Sequence, residues 1–224
     1  MKKALLFGAT GFIGSHLLKD LLKSSIYDGV TVVVRKPLSG ELKNHPKLKM
    51  LIGDYRSLPK LKTELVADDV FIALGTTKKQ TPDEAEYYRV DHDYPVFAAK
   101  LAKENGAKSV SIVTAIGASS DSPFFYIKTK GETERDIKAL GFTATHIFQP
   151  SMIVGHRKEE RAMEKVFIGA WNVVDPFFVG RMDRLKGIDG KDVAKAMLLA
   201  AQNQTDRLKI FRWREMHDLL KRDV

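Results

Sequence analysis

The chain has 224 residues, enough for one α/β domain that buries its core without staples. Hydrophobic residues make up 44% and charged residues 29%, the balance of an ordinary globular chain, and there is no cysteine. Disulfides, zinc–thiolate sites, iron–sulfur clusters and a cysteine nucleophile are thereby excluded. The net charge is +9, from 37 Lys and Arg against 28 Asp and Glu. That excess is spread along the chain, and no basic run is interleaved with stacking aromatics, so no nucleic-acid partner is expected. Apolar runs are too short to span a bilayer. Met1-Lys2-Lys3 is basic, but Gly8 and Gly11 interrupt the apolar run behind it, which argues against a signal peptide. The expectation is a cytoplasmic protein with no membrane partner.

In chain order, residues 3–7 form a short apolar strand, and Gly8 to Gly14 a turn. Ile13, Leu17, Leu18, Leu21 and Leu22 then share one helical face. Residues 30–34, Val-Thr-Val-Val-Val, are β-branched throughout and read as a buried strand. Pro37 to Lys49 reads as a solvated loop with one short helical turn. Strands are expected at Leu48–Ile52, Val70–Leu74, Ser109–Val113 and Thr143–Phe148. Helices are expected at Glu84–Asn105, Phe125–Leu140, Lys158–Phe167, Lys191–Gln202 and Glu215–Lys221. Strands alternating with helices predict a doubly wound parallel sheet in a single domain.

Gly8-Ala9-Thr10-Gly11-Phe12-Ile13-Gly14 joins the first strand to the first helix with the spacing G-x-x-G-x-x-G. Glycine there permits a tight turn and close backbone approach to a pyrophosphate, and the helix start offers free N–H groups to the anion. Thr10, Phe12 and Ile13 lie in the same loop. The second strand ends in Arg35-Lys36, about 20 residues after Gly14, where an acid would bind the ribose of NAD. A basic pair there suits the 2′-phosphate of NADP instead. Asp54, followed by Tyr55, stands after the third strand, where its carboxylate can accept from the adenine amino group or simply close a turn. Leu74-Gly75-Thr76-Thr77 follows the fourth strand, at the carboxyl edge where open α/β sheets bind ligands.

Tyr126 and Lys130 are spaced i, i+4 at the start of a helix and share a face. A cation beside the phenol favours phenolate and lowers its pKa, so the tyrosine can exchange a proton with a carbonyl or alcohol oxygen. The fifth strand ends in Thr114, a hydroxyl suited to hold that oxygen; Ser119, Ser120 and Ser122 are alternatives on the following loop.

These motifs resemble the atypical short-chain dehydrogenase/reductases, and within them the Tat-interactive-protein-like oxidoreductase subgroup. The resemblance runs over nearly the whole chain. Beside the glycine loop and Tyr126-x-x-x-Lys130 it rests on Leu74 to Thr77, Arg89-Val90-Asp91-His92-Asp93-Tyr94, Lys130-Gly131-Glu132 and Met216-His217-Asp218-Leu219. Gln149-Pro150-Ser151-Met152-Ile153-Val154-Gly155 is similar to the family's segment beside the nicotinamide, which brings Pro150, Met152 and Ile153 into the expected cofactor site. The family implies that Tyr126 is the acid/base. It implies that Lys130 binds the nicotinamide ribose while lowering the tyrosine pKa, and that Arg35 takes the adenosine phosphate. The chain departs from the family's common residues at Thr114-Ala115, Asp91 and Gln149, where two serines, Asn and Arg are frequent.

The expected activity is NADPH-dependent hydride transfer to a small carbonyl or related substrate. Two other readings are a non-enzymatic NADPH-binding regulator with a protein partner, and an NAD(P)-dependent epimerase or dehydratase. Residues after Pro150 are expected to wall the substrate side, with Trp171, Phe177, Phe178, Arg181 and Met182 as candidates; the aromatic set Trp171 to Phe178 reads more readily as core than as pocket, and His156 and Arg157 more readily as a solvated loop than as substrate contacts. His146 reads as a buried core residue, and His92 as part of a helix surface; no metal is expected. Phe211 to Arg214 with Leu219 and Leu220 reads as an amphipathic segment that packs on the domain or meets a partner. A monomer and a homodimer both suit the family.

Overall fold

The computed structural model describes residues 1–155, 186–203 and 207–222. Seven parallel strands form one sheet. They are β1 (Lys2–Phe7), β2 (Tyr27–Val34), β3 (Leu48–Ile52), β4 (Asp69–Ile72), β5 (Ser109–Val113), β6 (Ala144–Phe148) and, after the short strands β7 (Ile153–Val154) and β8 (Ile188–Asp189), β9 (Leu208–Phe211). The order is β3-β2-β1-β4-β5-β6-β9, and β7 pairs with β8 as a separate parallel ribbon. The chain winds outward from β1 to β3, then restarts at β4 on the other side of β1. A crevice therefore opens between the carboxyl ends of β1 and β4, the place where such sheets take ligands.

Helices cover both faces. They are α1 (Phe12–Lys23), α2 (Glu84–Tyr88), α3 (Tyr94–Glu104), α4 (Phe125–Ala139), α5 (Gly190–Gln202) and α6 (Trp213–Lys221). Successive side chains of β1 alternate between the faces, as the pleat requires. Ala4 and Leu6 join Leu17, Leu21, Val193 and Met197 beneath α1 and α5. Leu5 and Phe7 join Ala98, Ala102 and Ile137 beneath α3 and α4. Phe7, Phe71 and Phe148 are fully buried, each stabilising the fold by roughly 1.5–3 kcal/mol relative to exposure.

Several elements depart from the sequence reading. The expected helix Glu84–Asn105 is divided: a π-helical turn over Arg89–Asp93 separates α2 from α3. The amphipathic C-terminal segment is in part a strand, since Phe211 closes β9 and stacks on Phe148 at 4.7 Å. Helix α6 then packs on α5 and buries Met216. The strands β7 and β8 carry only two residues each, too few for alternation to reveal them. The loop Pro37 to Lys49 does hold one helical turn, Glu41–Asn44. The expected helix Lys158–Phe167 and the residues His156, Arg157, Trp171, Phe177, Phe178, Arg181 and Met182 lie outside the described residues.

Candidate active site at the carboxyl edge of the sheet

The glycine loop is built by close backbone approach. Gly8 has φ +89°, and a Cβ on it would lie 2.4 Å from the carbonyl oxygen of Ala73, so the ends of β1 and β4 nearly touch. A Cβ on Gly14 would lie 2.0 Å from the carbonyl oxygen of Gly8, which lets α1 start directly against the loop. Helix α1 has Gly11 at its N-cap, no side-chain cap and no acid in its first turn. Its leading N–H groups and the positive end of its dipole are thus left for an anion. Thr10 and Gly11 are exposed, while Ile13 and Gly14 are buried. The ring of Phe12 turns away from the loop: it fills the space beside Gly155 and Gly190 and meets His16 edge-on at 5.7 Å.

Arg35 and Lys36 are exposed at the end of β2, with no ion pair among the described residues. Asp54 is exposed and closes a turn: its Oδ1 accepts from the N–H of Ser57 at 3.0 Å, which holds the carboxyl below its usual range. Of the two readings of Asp54, the turn is the one its hydrogen bonds display. Tyr55 packs edge-on against Tyr94 at 5.8 Å. Burial first, then the Asp54 charge, pushes Tyr94 up to about 12, while Arg35 pulls it down. Arg35, Asp54, Tyr55 and Tyr94 therefore line one corner, and Tyr94 is a member that the sequence reading missed.

Tyr126 and Lys130 do share a face of α4, but the lysine has a partner that sequence spacing did not reveal. Asp91, fully buried in the π-helical turn, accepts from the N–H of Thr76 through Oδ2 at 2.8 Å. Its Oδ1 forms an ion pair with Lys130 Nζ, a contact of charge that lacks the geometry of a directed hydrogen bond. Lys130 is itself buried. The phenol of Tyr126 moves opposite to expectation, chiefly through desolvation. Desolvation raises its pKa, Lys130 lowers it, Asp91 raises it again, and the net direction is upward.

Thr114 also corrects the sequence reading. Its hydroxyl donates to Oε1 of Glu134 at 2.6 Å, and it is buried, so its proton is committed inside the fold rather than offered to a bound oxygen. The same Glu134 oxygen accepts from Gln149 Nε2 at 2.8 Å, and Gln149 Oε1 accepts from Arg212 Nε at 3.2 Å. This chain ties the end of β5 to the start of α6. Burying the Glu134 carboxylate demands such partners, and none of them follows from local spacing. On the serine loop, Ser122 Oγ accepts from the N–H of Phe124 at 3.2 Å, and Ser119 Oγ from that of Asp121 at 3.4 Å. Ser120 Oγ donates to Asp121 Oδ1 at 3.5 Å.

A cavity of about 380 Å³ opens beside Tyr126, between Thr76, Thr81 and Pro82 of the loop after β4, Tyr87 of α2 and Phe125 of α4. Thr76 and Thr81 share a hydroxyl–hydroxyl bond of 2.8 Å, and Thr77 caps the turn by accepting from the N–H of Gln80 at 3.3 Å. Leu74 packs into the core, while Gly75 is exposed beside Asp91 and Lys130. Pro150 is buried and its carbonyl accepts from the N–H of Ile116 at 3.0 Å. The carbonyl of Met152 accepts from the N–H of Ile188 at 2.9 Å, and Ile153 pairs with Ile188 in the short ribbon.

His146 is buried, with Nδ1 3.4 Å from Ser111 Oγ. His92 is not surface, as read from sequence. It is buried between Asp93, 2.8 Å from Nδ1, and Asp136, 2.9 Å from Nε2, and stacks on Tyr88. No cluster of three metal-ligating side chains occurs among the described residues, and none of their helices is long and apolar enough to cross a membrane.

Residues 8–167 match a family model described as NAD(P)H-binding. The chain is 34% identical over 203 residues to "Protein FMP52, mitochondrial" of Candida albicans, covering 88% of this chain and 86% of that protein. It is 31% identical over 164 residues to "Protein HTATIP2" of Rattus norvegicus, covering 73% of this chain and 67% of that protein. Among solved structures it is similar to MoeE5 in complex with UDP-glucuronic acid and NAD, with a TM-score of 0.69, 21% identity, and coverage of 93% of this chain and 75% of that one. The expectation of a cytoplasmic protein is corrected by the first of these: the fungal relative is named mitochondrial. The crevice, its uncapped helix and these likenesses converge, and the chain belongs to the NAD(P)H-binding family of Rossmann-type proteins related to the atypical short-chain dehydrogenases.

Proposed function

We propose that this protein is an NADPH-dependent reductase that acts on the carbonyl group of a small substrate. The residues present fit such a cofactor. The uncapped start of α1 suits the pyrophosphate, and Arg35 with Lys36, free of ion pairs among the described residues, suits a 2′-phosphate. Gly75 leaves room for a ribose above Lys130 and Asp91. Pro150, Met152 and Ile153 would flank the nicotinamide. When bound, the reduced nicotinamide supplies a hydride to the carbonyl carbon.

The observation that carries the reading is Tyr126, half exposed, standing between the buried Lys130–Asp91 pair and an open cavity. Its raised pKa keeps the phenol protonated at neutral pH, the state needed to protonate an oxygen that is receiving negative charge. The proton leaves Tyr126 Oη for the substrate oxygen, and solvent restores it. Thr114 supports β5 through Glu134 in this scheme and does not hold the oxygen. Residues 1–150 would hold the cofactor, and the smaller remainder would shape the substrate side.

Carbonyl screening with NADPH tests this. Tyr126→Phe should lower turnover by about 10²-fold or more, the scale of a lost general acid, with NADPH affinity retained. Equal turnover by wild type and Tyr126→Phe would remove Tyr126 from the chemistry.

A further inference from the structure

The cavity beside Tyr126 has two unlike sides. On one stand Pro82, Tyr87 of α2 and Phe125 of α4. The two rings meet edge-on, with centroids 5.6 Å apart and planes at 68°. Tyr87 is buried, and its hydroxyl donates to the carbonyl of Thr76 at 3.4 Å, so its ring rather than its hydroxyl remains for a guest. Phe125 directly precedes Tyr126 in the first turn of α4, which sets an aromatic wall beside the candidate acid. The other side is hydroxyl. Thr76 Oγ1 and Thr81 Oγ1 are 2.8 Å apart, and one donates to the other. The accepting hydroxyl keeps its own proton for a third atom. Among the described residues, the charged side chains that line the cavity are Lys78 and Glu84, and they are paired with each other at 3.3 Å. An ionic substrate would have to break that pair, whereas an uncharged one leaves it in place. The volume of about 380 Å³ lies at the lower end of the roughly 300–1,000 Å³ of small-molecule pockets, room for a single or fused ring.

We propose that this cavity takes an uncharged aryl aldehyde or ketone, its aromatic ring against Tyr87 and Phe125 and its carbonyl oxygen toward Tyr126. The inference rests on the proposed reductase and names the substrate class of that same site. An aromatic ring carries a negative face and a positive edge, and the edge-on pair of Tyr87 and Phe125 offers both to a third ring. A saturated ring of the same size gains only buried area there. The threonine side admits a further neutral acceptor on the guest, such as an ether or hydroxyl oxygen. In the reaction the carbonyl carbon accepts the hydride of NADPH, and the π electrons of the C=O bond move to oxygen. That oxygen takes the proton of the Tyr126 hydroxyl, so an aryl alcohol and NADP⁺ result, and solvent returns the proton to Tyr126. Phe125 is on this account a specificity-determining residue: it selects the ring, while Tyr126 serves the oxygen.

The experiment is a set of NMR titrations of the ¹⁵N-labelled full chain with NADP⁺ present, using the product-like alcohols benzyl alcohol and cyclohexylmethanol. The two have the same carbon skeleton and one hydroxyl each. Burial of apolar area alone favours the cyclohexyl compound, which exposes more saturated surface to water. Benzyl alcohol should nevertheless bind about three- to tenfold more tightly, the scale of an added aromatic pair, and shift the amides of Thr76, Thr81 and Phe125. Phe125→Leu keeps bulk but removes the ring, and should erase that preference; a merely loosened fold would weaken both alcohols alike. Equal binding of the two by the wild type, or tighter binding of cyclohexylmethanol, would overturn the proposal. So would tighter binding of the carboxylated analogue para-(hydroxymethyl)benzoate or of UDP-glucose, either of which would show a site for anions. Should Phe125→Leu not fold, the wild-type ratio still decides. Turnover of benzaldehyde and of aliphatic aldehydes with NADPH is followed beside the titrations. The aryl preference in binding without any turnover would sink the reductase and leave the pocket assignment, whereas turnover without an aryl preference would do the reverse.

Discussion

At the scale of single residues, polar side chains gather on buried carboxylates, which among the described residues include Asp91 beneath the candidate acid and Glu134 behind β5. Asp69 is a further one, far from the site at the opposite end of the sheet, and accepts from Tyr27 Oη at 2.8 Å, Ser109 Oγ at 2.7 Å and Lys2 Nζ at 3.0 Å. Asp69 is buried, and burial together with its charge drives the Tyr27 phenol far above the ordinary range. Removing one donor from a buried carboxylate leaves it partly unsatisfied, at a cost of about 1–3 kcal/mol. Tyr27→Phe should therefore reduce the free energy of unfolding in urea by that amount and leave NADPH binding as it was. An unchanged urea midpoint would mean that the other partners of Asp69, Ser109 and Lys2 among them, satisfy it without the phenol.

At the scale of elements, the start of α1 is where fold and site depend on the same atoms. Gly14 lets the helix lie against the carbonyl of Gly8, and helix α1 packs its Leu17 and Leu21 on the sheet from there. Alanine at position 14 would gain helix propensity of about 1 kcal/mol, yet its Cβ would meet a backbone oxygen that cannot swing aside. Gly14→Ala should lose about 1–3 kcal/mol of stability, the cost of overpacking, and weaken NADPH binding through the displaced loop; equal binding and equal stability would contradict the close approach. This loop was legible from sequence because its chemistry is local: three glycines in seven residues between a strand and a helix. So were β3 and β5, whose bounds are those read from their apolar runs. The π turn was not legible, because the period of apolar residues continues through Glu84–Asn105 and one extra residue per turn leaves no compositional mark. Nor were the Asp91–Lys130 pair and the Thr114–Glu134–Gln149 chain, whose partners are distant in sequence and meet only through the winding of the sheet. The spacing of Tyr126 and Lys130 set their common face correctly but said nothing of the carboxylate that changes what the lysine does.

At the scale of the whole molecule, charge governs how stability responds to pH. Asp136 is held below the usual carboxylate range, first by the Arg135 guanidinium and then by His92, and hydrogen bonds to Ser57 and Lys62 do the same for Asp54 and Glu104. A carboxylate whose folded-state pKa is lowered stabilises the fold above its ordinary pKa and loses that contribution as pH falls through the lowered value. Asp20 and Asp192, raised by burial, act in the opposite sense: their contribution is full below the ordinary value and is lost as pH rises through the raised one. With a net charge of +9 already present, protonating carboxylates also increases self-repulsion. Asp136→Asn should thus be less stable than wild type at neutral pH, and the two urea midpoints should converge once the pH lies below the carboxylate range. A gap that persists there would assign the effect of Asp136 to packing instead of charge. The most direct test of the cofactor assignment is a pair of calorimetric titrations of the purified protein, one with NADPH and one with NADH. NADPH should bind tightly and NADH about tenfold more weakly, ~1.4 kcal/mol, because Arg35 and Lys36 meet a phosphate that NADH lacks. Equal affinities would remove Arg35 as the reader of that phosphate, and binding of neither would contradict the assignment of the glycine loop itself.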